Sequence, residues 1–412
     1  MTHPPLAMPR LLAARNAVYV VFTASGISFA SWASRIPDAK ARLDLSAGQL
    51  GVVLLFASAG SILGLPVAGR IVHRLGAART CSIALSFVAV GLAITGLGTD
   101  LIGKSWLVSA GLFVLGLGMG VCDVAMNLEG AEVERLLGHS IMPRFHAAFS
   151  GGTVVAALVG AGMAALAVPV WLHLWLAAAG MLACALIAPR PFLPRSLEDE
   201  ATAREEAAHG IPAQVPRSAW TEPRTLLMGL VILVAAFTEG TANDWVSVAF
   251  VEGYGLPTWA GVLAFATFLG FMTIGRVLGT GLLDRYGRVP VLRIMLAVAL
   301  VGSVLVVFGT PILAYAGAAL WGLGVSLGFP VGMSAAADDP ERAHARVSVV
   351  ATIGYVAFIA GPPLIGFLGD HYGVLRALLA VGTLILVAYV ALPAVREPQA
   401  QSDRRVERTP RG

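Results

Sequence analysis

Charge is scarce in this chain: 13% of its 412 residues are Asp, Glu, Lys or Arg, against 57% hydrophobic. Soluble domains carry about 25% charged residues, and a soluble chain this apolar would expose large adhesive patches. A soluble enzyme or binding module is thereby excluded, and lipid becomes the main solvent. Lysine is nearly missing, with Lys40 and Lys104 standing among 28 basic residues. Cysteine is as rare. Cys81, Cys122 and Cys184 all lie in apolar segments without metal-like spacing and read as small buried hydrophobes. A P-loop lysine is lacking, and so is any Ser/His/Asp or metal-ligand cluster of recognisable spacing. An ATP-driven pump and a membrane enzyme therefore have no support, and no cofactor, metal or nucleic acid is expected. The net charge of +4 belongs to arginines in short loops and tails, where topology accounts for it.

What is present in quantity is apolar length. A bilayer core of about 30 Å needs about 20 apolar residues per helix. The sequence supplies such runs at 12–35, 47–72, 79–98, 104–128, 144–168 and 170–190. A second set follows at 224–250, 257–283, 289–309, 311–334, 344–368 and 372–393. The first run exceeds the h-region of a signal peptide and no cleavage site follows it, so it reads as a retained helix. A turn at Pro169 joins spans five and six. With the N-terminus placed in the cytoplasm, most of the 28 Lys/Arg fall on the cytoplasmic side, the positive-inside pattern. An even number of spans and two cytoplasmic termini in a bacterial inner membrane are expected.

The stretch 192–223 is the one long hydrophilic interior segment, with Glu198, Asp199 and Glu200 near its start. It reads as a cytoplasmic linker between an N-terminal six-helix half, 1–191, and a C-terminal half, 224–393, followed by a cytoplasmic tail, 394–412. The halves share marks at a nearly constant offset. Gly116-Leu117-Gly118 matches Gly322-Leu323-Gly324, and Ser31-Trp32-Ala33-Ser34 resembles Asp244-Trp245-Val246-Ser247. His73-Arg74-Leu75-Gly76 matches Asp284-Arg285-Tyr286-Gly287. The fold expected is all-α, with twelve transmembrane helices in two pseudo-symmetric six-helix bundles.

Gly69, His73, Arg74, Gly76 and Arg79, repeated as Asp284, Arg285, Gly287 and Arg288, resemble the loop signature of the major facilitator superfamily, G-x-x-x-D-R-x-G. The resemblance runs from about residue 12 to 393 and implies a cytoplasmic conformational latch in which the loop carboxylate pairs with arginines or caps a helix. His73 replaces that acid in the first copy, and Thr280 replaces the leading glycine in the second. Asp284 is therefore expected to matter more than His73. A narrower likeness lies in span four. Gly116-Leu117-Gly118 followed by Asp123, Ala125 and Asn127 is similar to the fucose-permease type of sugar–proton symporter, whose acid takes part in proton coupling. Those symporters also carry a carboxylate in span one, which this chain lacks.

Ionisable residues inside spans are costly and face the bundle interior. Span seven has the densest set: Glu239, Asn243, Asp244 and Trp245. Glu239 and Asn243 share a face, and a carboxyl at that depth must be paired, protonated or wet. Two readings stand for Asp244, a site residue or a group in interfacial water. Asp123 is either a proton carrier or a structural hydrogen-bonding group. Arg276 either holds an anionic substrate or a carboxylate such as Asp123, or snorkels to the surface. His146 is a proton group or a structural span end. Trp32 and Trp245 either stack on substrate or form an interfacial belt. Arg35 is expected at the outer surface, and Glu129, Glu132 and Glu134 on a solvated helix end. The glycines read as close packing, and Pro330, Pro362 and Pro363 as bends. The expected partners are a small-molecule substrate, protons and the bilayer, with the chain a monomer. The expected function is a proton-coupled secondary carrier. Span five has no proline after Gly151, unlike the drug antiporters of the superfamily, which favours symport over efflux. A non-transporting sensor is the remaining alternative.

Overall fold

A computed structural model describes residues 8–194, 218–339 and 342–397. The chain divides into two compact units, Met1–Pro212 and Ala213–Gly412. The acidic run and most of the expected linker lie outside the described residues, as does most of the tail. Lipid offers the peptide groups no hydrogen-bond partner, so each apolar run must close its own bonds as a helix.

In the first unit these helices are α1 (Met8–Ala33), α2 (Ile36–Arg42), α3 (Ala47–Leu75), α4 (Ala77–Gly96), α5 (Ser105–Leu137), α6 (Met142–Ala165) and α7 (Val170–Ile187). A π-helical turn, Leu97–Leu101, ends the third span. In the second unit they are α8 (Pro223–Tyr254), α9 (Thr258–Tyr286), α10 (Arg288–Phe308), α11 (Pro311–Val325), α12 (Gly328–Ala336), α13 (Ala343–Tyr372), α14 (Val374–Ala377) and α15 (Leu379–Ala391). Twelve helical segments among the described residues are long and apolar enough to cross a membrane, one for each expected span.

The ends of these helices are written locally. Ser46 and Gln49 form a reciprocal capping box at the start of α3, satisfying two donors the helix cannot reach. Pro143, Pro223 and Pro311 sit in the first turns of α6, α8 and α11, where proline loses no intrahelical bond.

The two units pack alike. In the first, α5 lies between α3 and α4, α1 pairs with α6 and α7, and α4 with α7. In the second, α11 lies between α9 and α10, α8 pairs with α13 and α15, and α10 with α15. The repeated glycine pairs explain the likeness. A methyl group at Gly116 would collide with Ala57 O of α3, and one at Gly118 with Ala84 O of α4. Gly322 and Gly324 lie in the same way against Phe268 O of α9 and Met295 O of α10. Close backbone approach between helices is the reading these glycines invited, and the packing bears it out.

Two departures from the expected spans matter. Span ten is broken: α11 stops at Val325 and α12 begins at Gly328, with Ser326 and Leu327 between. Pro330 lies in the first turn of α12, so the interruption precedes it. Pro362 and Pro363, by contrast, lie within a continuous α13.

The turns after α3 and α9 depend on one backbone state. Gly76 has φ 80° and ψ 160°, and Gly287 has φ 80° and ψ 169°. That region is closed to residues with a Cβ. The loop-signature glycine is thus a stereochemical requirement in both copies. Gly287→Ala is expected to cost about 1–3 kcal/mol and lower the melting temperature of the purified protein. Gly281→Ala, whose added methyl meets nothing within 4 Å, is expected to leave it unchanged.

Candidate functional site

An ion pair crosses from α8 to α9. Arg276 Nη2 donates to both carboxylate oxygens of Glu239, at 3.0 Å each. Glu239 sits midway along α8, and the two side chains keep 22% and 33% of their exposure. A lone charge at the centre of a span costs about 2.5–3.5 kcal/mol or more, and each of these residues supplies the other's counter-charge. Sequence reasoning placed both inside spans but did not join them. It offered Asp123 as the arginine's partner, and the structure assigns Glu239 instead.

The break in span ten lies beside this pair. Gly275, the neighbour of Arg276, packs against Ser326, and Gly279 against Leu327. Ala235, one turn before Glu239, lies against Gly328. Discontinuous helices are a recurrent way of building midplane sites in carriers. The sequence signal was the glycine run from Gly322 to Gly328 ahead of Pro330, which was read only as packing and a bend.

The other expected residues divide between the units. Asn243 and Asp244 are half-buried on α8, and the Asn243 side-chain oxygen has no partner among the described residues. Trp245 is fully buried and Trp32 is 5% exposed; both are packed within the protein rather than forming an interfacial belt. In the first unit Asn127 Nδ2 donates to Asp123 O at 2.8 Å and to Asp123 Oδ1 at 3.2 Å. Asp123 remains exposed. Asn127 is thus its hydrogen-bonding partner, and no arginine is paired with it among the described residues. His146 is exposed at the start of α6, its ring edge-on to Phe22 with the ring centroids 5.2 Å apart.

Several charged residues expected at surfaces are built into the bundles. Arg35 is 2% exposed, pairs with Asp38 at 3.2 Å and donates to Val168 O. Nearby Asp100 binds Arg42 at 3.0 Å and accepts from Trp171 N at 2.9 Å. These contacts tie the ends of α1, α4, α6 and α7. At the opposite end of the unit Glu129 is 1% exposed and accepts from Leu193 N at 2.7 Å. Glu132 pairs with Arg135. Glu134 accepts from Ile141 N and Met142 N at 2.6 and 2.7 Å, at the start of α6. The expected solvated helix end is a set of structural acceptors for backbone that would otherwise be unsatisfied.

His73, Arg74 and Asp284 are exposed, and Asp284 makes no ion pair among the described residues. Arg285 lies over the Tyr286 ring at 5.2 Å. The working charge is Arg288, whose guanidinium grips Asp338 at 2.7 and 2.9 Å while its backbone N–H donates to Glu397 at 2.8 Å. Arg224 adds a contact to Asp338 at 3.9 Å and holds Ala394 O and Arg396 O. Beside it Glu222 binds Arg342 and Arg346. Burial pushes the Glu222 carboxyl up, but hydrogen bonds from Arg346 and Thr225 and the two guanidinium charges outweigh it, holding the group below the usual carboxylate range. Together these contacts clamp the start of α8 to the starts of α10 and α13 and the ends of α12 and α15.

Against known proteins, a profile of the Major Facilitator Superfamily matches residues 17–362 and again 260–411. The chain belongs to this superfamily and is a multi-pass membrane transporter, not an enzyme. Among curated relatives it is 31% identical to the uncharacterized transporter y4wD of Sinorhizobium fredii, over 95% of this chain and 100% of that one. It is 28% identical to the membrane protein MosC of Rhizobium meliloti, over 94% and 92%. Among solved structures it resembles the nucleoside transporter NupG, with TM-score 0.73 at 14% identity over 94% and 99% of the two chains. A D-xylose–proton symporter gives 0.69 at 16% identity over 92% and 97%. These structural likenesses carry the fold.

Asp338 is 6% exposed, so removing its charge leaves Arg288 facing an uncompensated site. Asp338→Asn is expected to destabilise the purified protein by about 3 kcal/mol. Asp284→Asn, on an exposed side chain, should stay within about 0.5 kcal/mol. Melting temperatures of the two variants compare them directly.

Proposed function

We propose that the protein is a proton-coupled secondary carrier of a small organic solute, working by alternating access in a bacterial inner membrane with both termini cytoplasmic. The observation that carries this reading is the Glu239–Arg276 pair, half-buried in the middle of α8 and beside the break in span ten. A proton on Glu239 cancels the carboxylate charge and releases the guanidinium. The pair thus has two electrostatic states selected by proton occupancy. If the two conformations of the carrier hold the pair at different strengths, proton binding and substrate binding are linked through the conformational equilibrium.

Asp123, exposed and hydrogen-bonded to Asn127, is the second proton-carrying candidate, in the first unit. The span-four likeness to sugar–proton symporters and the absence of proline in span five favour symport. Proton-driven efflux is the alternative direction, and a sensor that binds without flux is the alternative class.

Reconstituted vesicles test the reading. An imposed pH gradient is expected to drive solute accumulation by the wild-type protein. Glu239→Gln is expected to abolish proton-driven accumulation while retaining exchange of solute for solute. Asp123→Asn should reduce the proton-driven component. Binding without flux in the wild type would convert the reading to a sensor, and unchanged coupling in both variants would remove these two residues as carriers.

A further inference from the structure

Helix α8 holds a second polar feature that the Glu239–Arg276 pair does not use. Hydroxyl groups within the helices of this protein mostly donate to a carbonyl on their own helix. Thr238 bonds to Val234 O, Thr273 to Leu269 O, Ser303 to Leu300 O and Thr352 to Ser348 O. This is the local way to satisfy a hydroxyl where water is absent. Thr241 and Ser247 depart from it. They are 3% and 1% exposed, and neither hydroxyl oxygen has a partner among the described residues. Asp244 lies between them, half-buried, and no hydrogen bond or ion pair is described for it. The positions 241, 244 and 247 are successive i, i+3 neighbours, so the three side chains form one ridge of the helix.

We propose that this ridge binds a protonated amine of the transported solute, with the ammonium on Asp244 and neighbouring polar groups of the solute on Thr241 and Ser247. This rests on the carrier reading above and names the substrate class for it. Charge is the first argument. Arg276 neutralises Glu239, which leaves Asp244 as a carboxylate within the α8 span with no basic partner among the described residues. A carboxylate inside a span is met by a cation, a proton or water, and the ammonium of a solute supplies the cation. An organic acid would be repelled there, and an uncharged solute would leave the charge unmet.

Hydrogen-bonding capacity is the second argument. An ammonium brings donors and no acceptor, which suits the Asp244 carboxylate, and the hydroxyl oxygens of Thr241 and Ser247 are left for the solute's other polar groups. Bonds to an ionised acceptor are roughly twice as strong as neutral ones. Size is the third. Six residues of helix span about 9 Å along the axis, whereas a bare metal ion needs its oxygen ligands at about 2.4 Å. A sodium or calcium ion at Asp244 cannot touch both hydroxyls. A small organic cation with its own polar substituents can.

Thermal-shift titration of the purified full chain tests the assignment with matched probes. D-glucosamine, D-glucose and D-glucuronate share one skeleton with an amine, a neutral group and an acid. Ethanolamine, ethylene glycol and glycolate form a second set, and putrescine, butanediol and succinate a third. At least one amine is expected to raise the melting temperature while its neutral and acidic counterparts do not. Asp244→Asn is expected to weaken that binding by about tenfold or more, with Asp244→Glu retaining part of it. Thr241→Val, which is nearly isosteric, should weaken binding several-fold and stays readable if Asp244→Asn fails to fold.

The assignment is overturned by an equal response to a neutral or acidic counterpart, by an amine response unchanged in Asp244→Asn or Thr241→Val, or by no response to any of the three amines. Stabilisation by NaCl over KCl that disappears in Asp244→Asn would also overturn it, in favour of a metal ion. Amine binding of this kind without flux would sink the carrier reading and leave the site. Flux without amine binding would do the reverse.

Discussion

A membrane interior gives a polar group nothing to bond to except other protein, and every notable feature of this chain answers that constraint. The backbone answers it by helix formation in all twelve spans. The charged side chains answer it by pairing: Glu239 with Arg276 in the middle of two spans, Arg35 with Asp38 and Arg42 with Asp100 at one end of the first unit, and Arg288 with Asp338 in the second. The pair between α8 and α9 differs from the others in its depth. It is where a change of protonation has the greatest electrostatic consequence, because little else is present to screen it.

The duplication of the fold gives a control for what is structural and what is particular. Glycine pairs wedge α5 and α11 between their neighbours in the same way, and Gly76 and Gly287 adopt the same strained turn. Those features follow from building a six-helix unit twice. Other features do not repeat. Span four is one unbroken helix carrying Asp123 and Asn127, whereas span ten is broken at Ser326–Leu327 and has no carboxylate at that level. Glu239 and Arg276 have no ionisable counterparts in spans one and two. Function in such a carrier resides where the copies differ, since identical halves would have no sided chemistry to couple.

Much of this was legible in the sequence because hydropathy, loop charge and repeated glycines are local or periodic signals. Twelve runs gave twelve candidate spans among the described residues, and the Gly-Leu-Gly repeats pointed correctly to close packing. The pairings were not legible, because they join residues distant in the chain. Arg276 meets Glu239 through the packing of α9 on α8, a geometry that no spacing rule records, so Asp123 was an equally reasonable partner. Arg35 was placed at the outer surface from its position just beyond Trp32, at the end of the first apolar run. Its burial depends on α2 and the α6–α7 turn folding over it. The loop signature implied that the Asp284 carboxylate pairs with arginines or caps a helix end. Arg288 of the same signature reaches Asp338, fifty residues on, a pairing that no spacing rule records.

The central claim is that Glu239 and Arg276 form one electrostatic unit, each making the other tolerable within the spans. A double-mutant cycle on the stability of the purified protein in lipid nanodiscs measures this directly. Glu239→Gln and Arg276→Gln are each expected to destabilise the protein by leaving a lone charge, and the double variant to be at least as stable as either single one. The coupling energy should then be about 1 kcal/mol or more. Additive losses in the double variant would contradict the account, because they would show two residues acting independently.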